Sequence, residues 1–314
     1  MHFVTQLENN LSARNDLSIS VLRGDLATPS AIGNKQFKLA ENLLRLKSNG
    51  CGRLLSFGGA WSNHLHALSV KAKELDIEVV GVVRGDPADN RLLQSARRHG
   101  MRVVFAGYTE YRQRNNPSWC KAQCIKYQCD TWLPEGGANL AAVSGCKKIL
   151  GMFDGQPPDI VTLAVGTGAT LAGIAAGLCV SQTVVGYPVI RDDQVPLNIV
   201  RWLENLNCPF NRWQLSEPLR PGYAKVNVQL IRFILDFYRD TGIPLDPVYT
   251  GKAMMQTLAD ENIASLPKNS HVAFLHTGGL MGAFGFMDAF NQFRDTKPVE
   301  QYFSAIEKLT SPSW

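Results

Sequence analysis

DIVTLAVGTGATLAGIAAGLCV, Asp159 to Val180, is uncharged from Ile160 onward and, on length alone, could cross a bilayer. Its interior argues otherwise. Gly166-Thr167-Gly168-Ala169-Thr170 divides it into an apolar run, Asp159–Ala164, a glycine turn and a helix of small residues. A strand that delivers a glycine loop to a helix start is a βα unit of a soluble core, and no membrane is expected as a partner.

Outward from this unit the same alternation repeats. Arg53–Phe57, Glu78–Val83, Arg102–Phe105, Thr183–Tyr187 and His271–Leu275 are short runs rich in Val, Ile and Leu and read as strands. Between them lie helical patterns such as Ser62–Leu75 and Asn90–His99, the latter stopped by Gly100. Near-continuous apolar strands separated by helices predict open parallel sheets covered on both faces, an α/β fold. With 314 residues the chain has room for one large or two modest domains. No repeat or low-complexity tract is visible. Residues 190–221, with scattered Pro and Trp, read as irregular chain that wraps a domain or forms an interface.

The chain is 45% hydrophobic and 19% charged, which excludes wholesale disorder. Its net charge of +5 is spread without long runs, so no nucleic-acid partner is expected. MHFVTQLENNLSARND lacks an apolar core of signal-peptide length, and the seven cysteines form an odd set. Both features point to a reducing, cytoplasmic setting. Cys120, Cys124 and Cys129 fall in WCKAQCIKYQC, which reads as a helix; paired C-x-x-C spacing and a fourth ligand are missing. Buried thiols are expected there, and no metal.

Three glycine turns follow strands: Gly58-Gly59-Ala60-Trp61-Ser62-Asn63, Gly166–Thr170 and His276-Thr277-Gly278-Gly279. Ligands of open α/β sheets bind beyond the carboxyl ends of strands, where helix starts present free N–H groups. The 166–170 turn is not a dinucleotide signature, because its third glycine position is Leu171, nor a P-loop, because no Gly-Lys-Ser/Thr follows. Small residues, the hydroxyls of Thr167 and Thr170 and backbone donors suit a single compact phosphate. Lys35 stands at the head of an amphipathic helix (Phe37, Ala40, Leu43, Leu44), just after Gly33-Asn34. The macrodipole disfavours a cation there, and the same field plus desolvation lowers an amine pKa, which suits a Schiff-base lysine as well as a plain surface one.

Gly33-Asn34-Lys35-x-x-Lys38-Leu39 resembles the cofactor-lysine motif of the D-cysteine desulfhydrase / 1-aminocyclopropane-1-carboxylate (ACC) deaminase family. Further matches follow in order: Arg23-Gly24-Asp25-Leu26, Gly58-Gly59-x-x-Ser62-Asn63-His64, Gly166–Thr170, Pro221-Gly222-Tyr223, Asp246–Lys252 and His276–Gly279. The sequence departs at Phe37, where arginine is common, and at His66, where arginine is often seen. The resemblance implies a two-domain, tryptophan synthase β-like (fold type II) enzyme with its cofactor in a cleft. One domain would take 1–37 with 147–314 and the smaller 38–146, in a homodimer. It implies pyridoxal 5'-phosphate, carried on Lys35, which would then move the substrate α-proton. Asn63 would meet the cofactor's phenolic oxygen, and Gly166, Thr167, Gly168, Ala169 and Thr170 its phosphate, with Thr250 and Thr277 as further cofactor contacts. Ser62, Asn63 and His64 would bind the substrate, Ser62 also shuttling protons, and Tyr223 and Tyr249 would flank it.

Two positions bear on the reaction. ACC deaminases carry Glu directly after the tyrosine of the Val-Tyr motif and Leu at the position of Thr277; this chain has Thr250 and Thr277. A carboxylate holds the pyridine nitrogen protonated and makes the ring the strong electron sink that cyclopropane opening needs. A threonine hydroxyl does not, and suits β-elimination. The expectation is elimination from D-cysteine to pyruvate, hydrogen sulfide and ammonia. The alternatives are an ACC deaminase, another small amino-acid lyase or racemase, a protein that binds a phosphorylated metabolite without chemistry, and a nucleotide enzyme using the 166–173 turn.

Overall fold

The structure, a computed structural model, describes residues 2–7, 17–28, 32–153, 157–208, 212–293 and 298–310. Its strands are β1 (Val4–Gln6), β2 (Ser18–Arg23), β3 (Arg53–Gly58), β4 (Glu78–Arg84), β5 (Arg102–Ala106), β6 (Thr131–Leu133), β7 (Ile160–Val165), β8 (Thr183–Pro188), β9 (Trp213–Leu215) and β10 (His271–His276). The principal helices are α1 (Lys35–Ser48), α2 (Asn63–Lys73), α3 (Arg91–Arg98), α4 (Pro117–Tyr127), α5 (Ala169–Ala175), α6 (Gln194–Asn205), α7 (Val228–Thr241), α8 (Thr250–Ala259) and α9 (Pro298–Thr310). The chain forms two compact units, residues 1–34 with 146–314, and residues 35–145.

The first unit holds a six-stranded sheet in the order β1-β2-β10-β7-β8-β9. All its pairs are parallel except the antiparallel edge pair β1–β2. Val161, Leu163, Val184, Val272 and Phe274 are buried along these strands, which is why the runs carry no polar alternation. α7 starts where the Asn227 side chain accepts from Leu230 N and stops at Gly242, whose φ is +70°. The second unit holds a parallel sheet, β5-β4-β3-β6. α3 is capped by Asn90, whose carbonyl accepts from both Leu92 N and Leu93 N.

The region 190–221 is not irregular throughout, contrary to the sequence reading. It contains α6, which buries Val195, Ile199 and Leu203 at helical spacing, and β9, the edge of the larger sheet. Pro196 stands in the first turn of α6, where its missing N–H costs the helix nothing. α4 also ends earlier than WCKAQCIKYQC suggests. Gln128 turns left-handed at φ +57°, and Cys129 lies beyond the helix, half-buried. Cys120 and Cys124 pack beside Phe57, Val80 and Tyr111 as apolar core, where burial raises both thiols. Cys179 is exposed. The apolar stretch 160–180 is β7, the glycine loop and α5, and no described helix is long and apolar enough to cross a membrane.

Candidate active site

Three neighbouring strands of the larger sheet end at the same edge, since Arg23 pairs with His276 and Thr162 with Phe274. Beyond β2 lies Asp25, beyond β10 Thr277 and beyond β7 the glycine loop. Asp25 is fully buried and accepts from Arg23 Nε at 2.9 Å and Nη2 at 2.7 Å. Burial raises its carboxyl, but the Arg23 guanidinium, bonded to both oxygens, works against that, and the carboxyl lies below the ordinary range. His276 donates from Nε2 to Pro244 O at 2.8 Å and accepts Gly278 N at Nδ1 at 3.1 Å, fixing the turn that follows β10.

That turn receives the chain leading to Lys35. Asn34 N donates to Thr277 O at 3.0 Å, and the Asn34 amide donates to Thr170 Oγ1 at 2.8 Å. Gly33 has φ +59°, and a Cβ there would run into the Thr277 carbonyl. The residue before Lys35 is thus tied to both the 276–279 turn and the glycine loop. In that loop Gly168 is left-handed at φ +84°, and a Cβ on it would lie 2.9 Å from Ile199 Cγ1. Gly166 has Tyr249 against it, where a Cβ would be 3.4 Å from Cε1. Ala169 and Thr170 are buried. Among the described residues the Thr277 hydroxyl has no protein partner.

Asp246 organises the segment from 246 to 252. Its Oδ1 accepts from Val248 N at 2.9 Å and Tyr249 N at 2.8 Å; its Oδ2 accepts from Thr250 N at 2.8 Å and Thr250 Oγ1 at 2.7 Å. Asp246 N donates back to Thr250 Oγ1 at 2.8 Å. Thr250 is 0% exposed and its hydroxyl proton is committed to Asp246. The sequence reading made it a cofactor contact; here it closes the cap of α8 and presents no donor. Tyr249 and Tyr223 meet edge to face, with hydroxyls 3.4 Å apart. Lys252 is buried and donates to Pro221 O and Gly222 O. Asp246 and Lys252 carry no site role in the sequence reading. A pair of charges in an otherwise buried segment is the signal that marks them.

In the 35–145 unit, Lys35 is the first residue of α1 and half-buried. Ser62 caps α2, accepting Leu65 N at 3.2 Å, and its hydroxyl occupies the space a Cβ on Gly58 would need. Asn63 follows as the first helical residue, half-buried, and its amide has no partner among the described residues. A hydroxyl proton and a free carboxamide therefore stand together at the start of a helix. His64 turns the other way. It is 4% exposed, and since the Ser56 hydroxyl donates to Leu133 O, the His64 Nε2–H must donate to Ser56 Oγ. Its Nδ1 has no partner among the described residues. Burial, then the charges of Lys35 and Lys38, push its pKa down to about 3. The structure groups Ser62 and Asn63 but not His64, which is a neutral core imidazole supporting them.

No established family profile matches the chain. A Thermotoga maritima protein provisionally named as an ACC deaminase is 29% identical over 297 residues, covering 89% of this chain and 94% of its own. A bifunctional mitochondrial D-cysteine desulfhydrase/ACC deaminase of Arabidopsis thaliana is 24% identical over 303 residues, covering 87% and 75%. The crystal structure of an ACC deaminase homologue superposes with a TM-score of 0.79 at 25% identity, covering 92% of both chains. The chain is thus similar along most of its length to proteins named for ACC deamination and D-cysteine desulfhydration. Its fold is that of fold type II pyridoxal-phosphate enzymes. The residues fit that cofactor. Lys35, the lysine the resemblance singles out, follows a turn at Gly33, where a Cβ would run into the Thr277 carbonyl. The glycine loop after β7 offers backbone donors and Thr hydroxyls suited to the phosphate, and the unpartnered Thr277 hydroxyl can meet a ring atom.

Proposed function

We propose that the chain catalyses α,β-elimination on a small D-amino acid, with D-cysteine as the leading substrate. One D-cysteine and one water give pyruvate, hydrogen sulfide and ammonia. The reading is supported by one observation above all: position 250, after Tyr249, carries a threonine turned into the Asp246 cap, and position 277 carries a hydroxyl without a partner among the described residues. Neither offers the carboxylate that would keep a pyridine nitrogen protonated.

Bound pyridoxal phosphate supplies the electron sink that acidifies the substrate Cα–H. In this reading Lys35 holds the cofactor and moves the α-proton, with the start of α1 and the charge of Lys38 keeping its environment electropositive. Ser62 and Asn63 grip the substrate carboxylate through a hydroxyl, an amide and the N–H groups of the α2 start. The Tyr223–Tyr249 hydroxyl pair delivers a proton to the departing sulfur. Gly166, Thr167, Gly168 and Thr170 hold the phosphate, and Thr277 the ring nitrogen. The similarity to proteins named for ACC deamination favours a second reading, in which ACC is opened to 2-oxobutyrate and ammonia.

The test is to offer the purified, yellow protein D-cysteine, L-cysteine and ACC in parallel. D-cysteine is expected to yield sulfide and pyruvate in equal amounts, and ACC no 2-oxobutyrate. The opposite product pattern would assign the chain to ACC deamination, and a protein that stays colourless with added pyridoxal phosphate would overturn both readings.

A further inference from the structure

We infer that Lys252 is a positioning residue that pins the Tyr223 loop and so sets the Tyr223–Tyr249 contact; its catalytic meaning rests on the function proposed above. Lys252 stands in the first turn of α8, 3% exposed. Burying a lysine is costly unless its donors are used. Its Nζ donates to two successive carbonyls of one loop, Pro221 O at 2.8 Å and Gly222 O at 2.9 Å.

Neutralising Asp246 does not explain this arrangement. Asp246 influences the ammonium electrostatically, but its carboxylate oxygens already accept from Val248 N, Tyr249 N, Thr250 N and Thr250 Oγ1. The hydrogen bonds of Lys252 run instead to a loop that needs holding. Upstream, Leu219 N is tied to Pro188 O at 2.7 Å at the end of β8. From there residues 220 and 222–225 are exposed, and Ala224 adopts φ +53°. Gly222 O also accepts Lys225 N at 3.0 Å, so the carbonyl that Lys252 grips is the one that closes the turn carrying Tyr223. Tyr223 is 42% exposed, and a ring that exposed keeps its geometry only if its backbone is held. Two ends of one segment thus divide the work: Asp246 fixes the backbone of Tyr249, and Lys252 fixes the loop of Tyr223.

Trypsin reads the pin without any assay of activity. Lys225–Val226 lies in the exposed turn, and its cleavage separates residues 1–225 from 226–314. Lys252→Met removes the donors while keeping the apolar arm, and cleavage at that bond is expected to accelerate about tenfold relative to wild type. An unchanged rate in folded protein overturns the inference. Lys252→Gln, read in the same way, decides the matter if K252M does not fold. The catalytic arm is a double-mutant cycle with Tyr223→Phe on the holoenzyme. K252M should lower kcat by about the factor Y223F does and add little in the Y223F background, with KM moving less; fully additive losses would place Lys252 outside the tyrosine pair. If D-cysteine is not turned over at all, the proposed function fails while the proteolysis result still stands.

Discussion

At the scale of single residues, Thr250 shows how a hydroxyl can be spoken for by its own chain. It donates to Asp246 Oδ2 and accepts from Asp246 N, in a position with no exposure. Thr250→Val should therefore cost about 1–3 kcal/mol in urea unfolding, because it strands a buried N–H and one carboxylate lone pair. It should leave the visible band of bound cofactor where it is. Thr277→Val should do the reverse, shifting that band with little effect on unfolding, because its hydroxyl serves no partner among the described residues. A spectrum that moves with T250V and not with T277V would return Thr250 to the cofactor. The sequence displayed both threonines at motif positions, but which one is spent internally depends on a side chain four residues upstream. An acidic residue just before a helix is a capping signal, and reading Asp246 in that way would have shown it.

At the scale of elements, the strands were legible because most are buried on both faces and so appear as unbroken apolar runs; β7, β8 and β10 start and end within a residue of their expected bounds. α6 was not, since Pro196 and the pair Asp192-Asp193 look like loop chemistry until the proline is seen to occupy a first turn. The three-residue strands β1, β6 and β9 are too short to carry a period at all. The glycine loop makes its own prediction. Gly168 is left-handed and its missing Cβ faces Ile199 and Val195 of α6, so the loop's shape depends on a helix the sequence did not reveal. Gly168→Ala adds about 1–2 kcal/mol of backbone strain to the displacement of Ile199. The expected outcome is a lower unfolding midpoint together with weaker retention of pyridoxal phosphate on dialysis. Wild-type values for both would mean that the loop tolerates a side chain and that α6 does not buttress it.

At the scale of the whole molecule, the two sheets differ in how they respond to acid. The 35–145 unit buries His64 and His66, the first bonded to Ser56 and the second to Ser95 Oγ at 3.1 Å. Burial is the main cause in both cases, reinforced by Lys35 and Lys38 for His64 and by His99 and Arg98 for His66; their pKa values fall to about 3 and about 4. Between those values and the ordinary 6.5, the unfolded chain takes up protons that the folded chain refuses, so stability rises with pH and is lost progressively as pH falls below 6.5. At pH 5 each histidine then costs about 2 kcal/mol relative to pH 7, at about 1.4 kcal/mol per pKa unit. His271 in the larger unit is also lowered by burial, though Asp159 opposes it, and adds in the same direction. Asp25 does not contribute in this window, because a carboxyl held below 3.8 loses its stabilising charge only at lower pH. Scanning calorimetry should show the transition falling between pH 7 and pH 5, and His66→Gln, which keeps a partner for Ser95, should remove about half of that fall. Equal transitions at the two pH values would mean that the imidazoles charge freely in the folded state, and the tautomer assigned to His64 from the Ser56–Leu133 bond would fall with them.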